Sequence, residues 1–316
     1  MKPFAFVFPG QGSQAVGMLD AWGDHPAVAQ TLREASDALG EDVGKLIREG
    51  PKEALALTTN TQPVMLVAGV AAWRAWKAEG GADPIVMAGH SLGEYSALVA
   101  AGSLTLADAA PLVRFRAQAM QQAVPVGTGA MAAILGMEAS KVIAGCAQAQ
   151  LTFGAGSTEV VEAVNFNDPM QTVIAGSKAA VEKACEVLKA NGAKRALSLP
   201  VSAPFHSSLM KPAADRLKAR LAATAFAVPR IPVVNNIEAK SESEPDRIRA
   251  ALYEQAWGPV RWVDCVAALK ARGAQLVVEC GPGKVLAGMA RRIDASLASA
   301  ALFDAATLAE VKGLVA

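Results

Sequence analysis

The sequence is poor in the residues that cross-link small proteins or hold structural metals. Its four cysteines, Cys146, Cys185, Cys265 and Cys280, are far apart and form no C-x-x-C pair. A chain of 316 residues can bury a core without such cross-links. We therefore predict neither a zinc site nor a disulfide framework, and no metal site of any kind.

The sequence also lacks a strong charge of one sign and long apolar runs. With 30 basic and 29 acidic residues, its net charge of +1 predicts no general electrostatic binding to nucleic acid or anionic membrane. The longest apolar run, about ten residues at 64–73, is well short of the ~20 that span a bilayer. The apolar run at 4–8 is too short for a signal peptide. We expect a cytoplasmic protein.

The composition is that of a folded domain, since 52% of the residues are hydrophobic and 19% charged, which excludes intrinsic disorder. In the first part of the chain, short apolar strands alternate with helical patterns. Strands are predicted at 4–8 and 85–88, and helices at 27–38, 63–79, 92–101 and 106–123. Pro63 fits a first helical position, and Thr105 fits a helix cap. This order predicts an α/β fold with a mostly parallel sheet.

The order of elements changes after Pro125. Strands are predicted at 129–135, 160–165, 172–175 and 193–197, with helices at 138–149 and 178–190. This β-α-β-β-α-β order is that of a ferredoxin-like unit. We therefore predict a ferredoxin-like subdomain at 126–201, inserted into a core formed by 1–125 and 202–316. A late buried strand is predicted at 276–279.

The segment GHSLG at 89–93 is the clearest chemical motif. It fits G-x-S-x-G and follows a predicted strand directly before a predicted helix, where a nucleophile elbow occurs. The pattern predicts that Ser91 is a nucleophile; the alternative is an ordinary turn between two glycines.

A serine needs a base, and the chain has only three histidines. His25 lies in a polar loop and is expected at the surface, and His90, next to the serine, is expected to pack beneath the turn. His206 follows the predicted insertion in a loop, where catalytic groups concentrate. By elimination we predict that His206 is the base, although no acidic residue suggests itself as a third member of a triad.

The glycine-rich loop at 9–14 follows the first predicted strand and has two interpretations. Gly10, Gly12 and Ala15 fit the dinucleotide-binding fingerprint, but the helix predicted at 27–38 occupies the place of the expected second strand. The other interpretation is a loop whose backbone N–H groups stabilise an oxyanion.

The chain resembles the malonyl-CoA:acyl carrier protein transacylases, the acyltransferases of fatty-acid synthesis. The resemblance covers nearly the whole chain, in the order of the family's motifs. It is carried by FPGQGSQ at 8–14, GHSLGEYSAL at 89–98, Arg116 within RFRAQAMQ, GTGAMAAILG at 127–136, NFNDPMQTVIAG at 165–176, SAPFHSSLM at 202–210, Gln255 with PVRW at 259–262, and ECGPGKVL at 279–286.

The resemblance implies roles that the pattern alone does not. It implies that Ser91 is acylated, and that a backbone carbonyl or amide at Gln255 orients His206 in place of an acid. It implies an oxyanion hole of the Gln11 and Leu92 N–H groups. The helical pattern by itself predicts a solvated Arg116, whereas the resemblance implies that this arginine binds the substrate carboxylate. The implied fold is a hydrolase-like core with a ferredoxin-like subdomain.

One position departs from the stand-alone members of the family, which often have a small residue before the histidine. This chain has Phe205 there. The Phe-His pair resembles malonyl-selective acyltransferase domains of polyketide synthases. The departure preserves the expected malonyl preference and leaves open whether the carrier serves fatty-acid or polyketide synthesis.

These observations together predict a malonyltransferase that works without a cofactor through a malonyl-serine intermediate. Its expected partners are malonyl-CoA and acyl carrier protein, and a monomer is expected. Two alternatives remain open. A serine esterase or thioesterase would use water as acceptor, and a non-catalytic carrier-binding module would lack the nucleophile pair.

Overall fold

The computed structural model of the protein describes residues 2–201 and 203–316. Met1, where the predicted core begins, and Ser202, where its second segment and the SAPFHSSLM block begin, lie outside the described residues. Within the described ranges, the strands form two separate sheets with helices packed around them.

The bounds of the elements are as follows. The strands are β1 (Phe4–Phe8), β2 (Val86–Gly89), β3 (Gly129–Leu135), β4 (Val161–Asp168), β5 (Gln171–Ser177), β6 (Arg195–Ser198), β7 (Val233–Val234), β8 (Leu276–Cys280) and β9 (Ala298–Leu302). The helices are α1 (Pro26–Leu39), α2 (Val43–Glu49), α3 (Lys52–Ala56), α4 (Thr58–Ala78), α5 (Gly93–Ala100), α6 (Leu106–Gln121), α7 (Ala139–Leu151), α8 (Lys178–Ala190), α9 (Lys211–Ala223), α10 (Pro245–Gln255), α11 (Trp262–Ala271), α12 (Val285–Ile293) and α13 (Ala305–Val315).

The first sheet has the strand order β7-β2-β1-β8-β9, and each neighbouring pair runs parallel. All five residues of the central strand β1 are buried. Phe4, Phe6 and Phe8 pack into the core on one face, while Ala5 and Val7 pack into the core on the other. Burial on both faces is typical of a parallel sheet covered by helices. The predicted α/β fold with a parallel sheet is confirmed.

The second sheet has the order β4-β5-β3-β6 and is antiparallel throughout. Its elements follow one another as β3-α7-β4-β5-α8-β6, which confirms the predicted β-α-β-β-α-β order. One face packs against α7 and α8. The opposite face places Met131 and Val173 against Met120, Phe205 and Met210, which lie outside this sheet. The subdomain boundaries at 126 and 201 remain a prediction.

The helix predicted to begin at Pro63 begins instead at Thr58, so that Pro63 lies inside α4. A proline has no N–H, and the carbonyl of Thr59, four residues earlier, therefore receives no helical hydrogen bond at this point. Arg114 of α6 donates its Nη1 hydrogen to that carbonyl at 2.6 Å. The prediction was wrong because a distant side chain replaces the bond that the proline removes.

The described helices include none that is long and apolar enough to cross a membrane.

Candidate active site

Ser91 lies in the turn between β2 and α5, in the predicted strand–turn–helix setting. Its φ of +52° is in the left-handed region, which residues other than glycine rarely adopt. A Cβ atom on Gly89 would lie 1.9 Å from the Gly93 carbonyl carbon, and one on Gly93 would lie 2.0 Å from the Phe8 carbonyl oxygen. Glycine is therefore needed at both positions, because the backbones of β1, β2 and α5 approach one another too closely for a side chain.

The structure places His206 beside Ser91. Ser91 Oγ and His206 Nε2 are 2.7 Å apart, a hydrogen-bonding distance. On the other side of the ring, Nδ1 lies 2.9 Å from the Gln255 carbonyl oxygen and 3.2 Å from that of Gly258. Backbone carbonyls therefore occupy the place of a triad acid, and they fix a proton on Nδ1 so that Nε2 can accept one.

The His206 side chain is almost fully buried, at 5% exposure. The pKa of His206 is lowered to about 3, chiefly by this burial and in part by the nearby positive charge of Arg116. Both effects disfavour the imidazolium ion. At neutral pH the ring is therefore uncharged and able to accept a proton.

Arg116 of α6 is 1% exposed, so the solvated arginine predicted by the helical pattern alone is wrong. Its Nη1 donates to Gln62 Oε1 at 2.5 Å. Its Nη2 donates to Gln255 Oε1 at 3.1 Å and to Ser91 Oγ at 3.2 Å. The guanidinium carbon lies 5.5 Å from the centre of the Tyr95 ring. A buried cation thus lies directly beside the serine hydroxyl.

Gln11 and Leu92 line the same cavity as Ser91 and Arg116. Leu92 directly precedes α5, where the first N–H groups of a helix lack helical acceptors. The loop that carries Gln11 lies directly on the elbow, since a Cβ atom on Gly10 would lie 2.5 Å from the His90 carbonyl oxygen. Both backbone N–H groups are therefore close to the elbow.

A buried group of polar side chains lies beneath the elbow. Asn236 Oδ1 accepts the Ser91 N–H at 2.7 Å, and Gln255 Nε2 donates to the Ser91 carbonyl at 2.9 Å. Glu94 Oε2 accepts the Asn236 backbone N–H and the Gln255 amide, each at 2.9 Å. Burial raises the pKa of Glu94 to about 7, although these hydrogen bonds and the charge of Arg116 oppose the rise.

The sequence analysis missed Asn236 and Glu94. A carboxylate just after the elbow, in an otherwise apolar helix, was a usable signal for Glu94. Asn236 carries no local signal, because its contacts with Gly89, Ser91 and Glu94 lie 142 to 147 residues away in the chain.

Comparisons with known proteins agree with this geometry. The family model described as "Acyl transferase domain" matches residues 5–308. The malonyl CoA-acyl carrier protein transacylase of Escherichia coli (strain K12) is 51% identical over 310 residues, which cover 98% of each chain. The chain belongs to the malonyl-CoA:acyl carrier protein transacylase family.

Solved structures of this transacylase family have the same fold. The acyl-carrier-protein S-malonyltransferase of Burkholderia pseudomallei 1710b is 61% identical with a TM-score of 0.95, over 99% of this chain and 100% of that one. A malonyl-transacylase in complex with its type II polyketide acyl carrier protein is 47% identical with a TM-score of 0.95, over 99% of this chain and 100% of that one.

The candidate site of this transacylase family member opens into a cavity whose walls come from the antiparallel sheet and from loops and helices around the parallel sheet. Its polar end holds Ser91, His206 and Arg116. Its apolar wall is formed by Met120, Met131, Val173, Leu199, Val201 and Phe205. Phe205, the departure from the stand-alone pattern, is 7% exposed and packs in one core cluster with Met120, Met131 and Val173. It therefore contributes to the width of the cavity.

His90 also lines the cavity, whereas the sequence predicted that it packs beneath the turn. Its Nε2 lies 2.8 Å from Asn167 Oδ1, and its ring centre lies 5.4 Å from that of Trp262. Burial lowers the pKa of His90, which keeps the ring neutral. The difference arises because β4 brings Asn167 over the elbow, a contact that spans 77 residues.

Within residues 2–201 and 203–316, no three His, Cys, Asp or Glu side chains are grouped so that they could hold a metal ion. The four cysteines are free thiols.

Proposed function

We propose that the protein transfers the malonyl group of malonyl-CoA to the phosphopantetheine thiol of acyl carrier protein. The observation that carries the proposal is the buried Arg116 guanidinium, whose Nη2 lies 3.2 Å from Ser91 Oγ. A malonyl thioester has a free carboxylate that can pair with this cation through charge-assisted hydrogen bonds. An acyl group without a carboxylate would leave the buried charge unpaired, which is costly. The relatives named malonyl transacylases support the same substrate.

The first half-reaction loads the serine. His206 Nε2 removes the proton of Ser91 Oγ, and the oxygen attacks the thioester carbonyl carbon. The Gln11 and Leu92 N–H groups stabilise the resulting oxyanion. When the tetrahedral intermediate collapses, the carbon–sulfur bond breaks, and CoA leaves as a thiol with the proton from His206. A malonyl ester remains on Ser91.

The second half-reaction reverses these steps with another thiol. The phosphopantetheine thiol gives its proton to His206, and its sulfur attacks the ester carbonyl in the same oxyanion hole. The ester bond to Ser91 breaks, and His206 returns the proton to the serine. The Gln255 backbone carbonyl holds the imidazole in place through both halves, at 2.9 Å from Nδ1. These steps need no metal or redox cofactor, because His206 carries each proton.

The proposed partners are therefore malonyl-CoA and acyl carrier protein. One relative of known structure is in complex with its acyl carrier protein, which supports the second partner. We further propose that the enzyme works as a monomer in the cytoplasm. Sedimentation at micromolar concentration, with and without carrier protein, tests the oligomeric state.

The test is incubation with malonyl-CoA alone, followed by intact-mass measurement. We expect one malonyl adduct in the wild-type protein and none in Ser91→Ala. Ser96→Ala is a matched control, because Ser96 is a buried serine of α5 without a hydrogen-bond partner among the described residues. It should form the adduct normally. A wild-type protein that forms no adduct at saturating malonyl-CoA would contradict the proposal.

The same preparation distinguishes transfer from hydrolysis. The isolated malonyl adduct should persist in buffer and disappear on addition of phosphopantetheinylated acyl carrier protein, which should gain the malonyl group. Steady release of free malonate without the carrier would indicate a thioesterase instead.

A further inference from the structure

The side chain of Asn236 extends the hydrogen-bonding pattern of the parallel sheet into the nucleophile elbow. β7 pairs with β2 through only two residues, Val233 and Val234, and then ends. Two positions later, Asn236 Nδ2 donates to the Gly89 carbonyl at 2.7 Å and Oδ1 accepts the Ser91 N–H at 2.7 Å. A carboxamide has the donor and acceptor of a peptide group. The Asn236 amide therefore serves as one more peptide unit of β7.

The elbow needs such support at this point. A residue other than glycine in the left-handed region costs about 1–2 kcal/mol and persists only where its surroundings hold it. The acceptor of the Ser91 N–H is the Asn236 side chain. The next N–H along the chain is that of Leu92, a proposed oxyanion donor. The Asn236 contact thus lies one peptide from the atoms that react.

Every polar group of Asn236, in the side chain and in the backbone, makes a hydrogen bond. Its backbone N–H donates to Glu94 Oε2 at 2.9 Å, and its carbonyl accepts the Arg261 N–H at 3.1 Å. Glu94 also binds Gln255, whose carbonyl faces His206. The side chain of Asn236 is fully buried. It is therefore a fixed link between the nucleophile and the residue that orients the base.

We propose that Asn236 is a positioning residue for acyl transfer, which holds the backbone of Ser91 and Leu92 in the reactive geometry through its side-chain amide. The inference rests on the proposed function. Loss of the Asn236 side-chain amide should reduce kcat for serine acylation by about tenfold to a hundredfold, since small displacements of reacting groups have effects of this size. KM for malonyl-CoA should change little, because Arg116 is not in contact with Asn236.

The first test compares Asn236→Leu with Asn235→Leu. Asn235 is an adjacent buried asparagine whose Oδ1 accepts the Glu238 N–H at 2.8 Å, within its own turn. Both substitutions remove hydrogen bonds made by a buried side chain and should lower the melting temperature. Only Asn236→Leu should lower kcat per folded molecule, measured by stopped-flow acylation, and slow the inactivation of Ser91 by a fluorophosphonate. Equal kcat in the two folded variants would overturn the proposal.

The second test uses Asn236→Asp and Asn235→Asp. An ionised aspartate at 236 accepts the Ser91 N–H but cannot donate to Gly89, whereas a protonated one can do both. The titratable groups that face Asn236 are Glu94 of α5 and Cys265 of α11, with Arg116 of α6 beyond Glu94. Burial and the Glu94 carboxylate favour protonation of a new carboxyl there.

The kcat of Asn236→Asp relative to wild type should therefore rise as pH falls from about 8 to about 6. The ratio for Asn235→Asp should stay constant. Parallel ratios for the two variants would overturn the proposal even if Asn236→Leu did not fold. A wild-type protein that forms no malonyl adduct would instead overturn the proposed function, so the two failures are distinguishable.

Discussion

Replacement of Arg116 by alanine tests whether the buried guanidinium selects acyl groups that carry a carboxylate. Two charge-assisted hydrogen bonds contribute about 1.5–3 kcal/mol each. We take about 3 kcal/mol in total, because Nη2 must give up its bonds to Gln255 and Ser91 when a carboxylate binds. This free energy corresponds to about a hundredfold lower kcat/KM for malonyl-CoA. The rate of acetyl transfer should be unchanged or higher, since the acetyl group has no carboxylate that pairs with Arg116.

The assay is kcat/KM for malonyl-CoA and acetyl-CoA in wild type, Arg116→Ala and Arg116→Lys. Lysine should restore part of the malonyl activity, because it keeps the charge and loses the two-pronged geometry. Arg114→Ala is the control on the same helix. Arg114 holds the Thr59 carbonyl and Asn60 Oδ1, so its loss should lower the melting temperature and leave the malonyl-to-acetyl ratio unchanged. Equal losses for both substrates in Arg116→Ala would refute the reasoning.

Three further predictions concern the elbow and its surroundings. His206 has a pKa of about 3, so it should contribute no acid limb to acylation at pH 6.5, the ordinary histidine value. An acid limb centred there that persists in Glu94→Gln would contradict the structure, and His206→Ala should lose most activity at every pH. Gly89→Ala should prevent folding, because its Cβ would lie 1.9 Å from a backbone carbon, and soluble folded protein detected by circular dichroism would argue against this packing. Burial raises the pKa of Glu94 from 4.5 to about 7, so this carboxyl should lower stability as pH rises through this window. Glu94→Gln should therefore make the slope of unfolding free energy against pH less negative in urea unfolding, and identical slopes for the two proteins would contradict it.

Local sequence signals predicted those parts of the fold that depend on local chemistry. The strand Gly129–Leu135 and the helix Lys178–Ala190 were predicted with the bounds that the structure has. The Thr105 cap was also correct, since its side chain accepts the Asp108 N–H at 3.1 Å. Apolar periodicity and capping residues act within a few positions of one another, so one sequence contains the information.

Other parts depend on contacts between distant segments. The strand β9 (Ala298–Leu302) was missed, because its sequence, ASAAL, is rich in alanine, which is depleted in strands. The start of α4 was misplaced because Arg114 compensates for Pro63 across 55 residues. Pairing with β8 stabilises β9, and the contact with α6 stabilises the first turn of α4. Neither contact leaves a signal in the local sequence.

The candidate site divides in the same way. Ser91 was predicted from its motif and His206 by elimination, and the structure brings the two together at 2.7 Å. The burial of Arg116 could not be predicted from its helix, since its partners Gln62 and Gln255 lie 54 and 139 residues away. Asn236 was missed for the same reason.

The double origin of the cavity has a consequence for how this enzyme can diversify. Ser91, His206 and Gln255 come from the parts of the chain around the parallel sheet, whereas Met131 and Val173 of the apolar wall come from the antiparallel sheet. The hydrogen bonds of Ser91 and His206 are made with other residues, so substitutions at these two positions should change the space left for an acyl chain without removing a partner of either side chain. Mutations in the part of the gene that encodes the antiparallel sheet can therefore change the substrate range, while the distances between the reactive atoms, which are encoded elsewhere, stay the same.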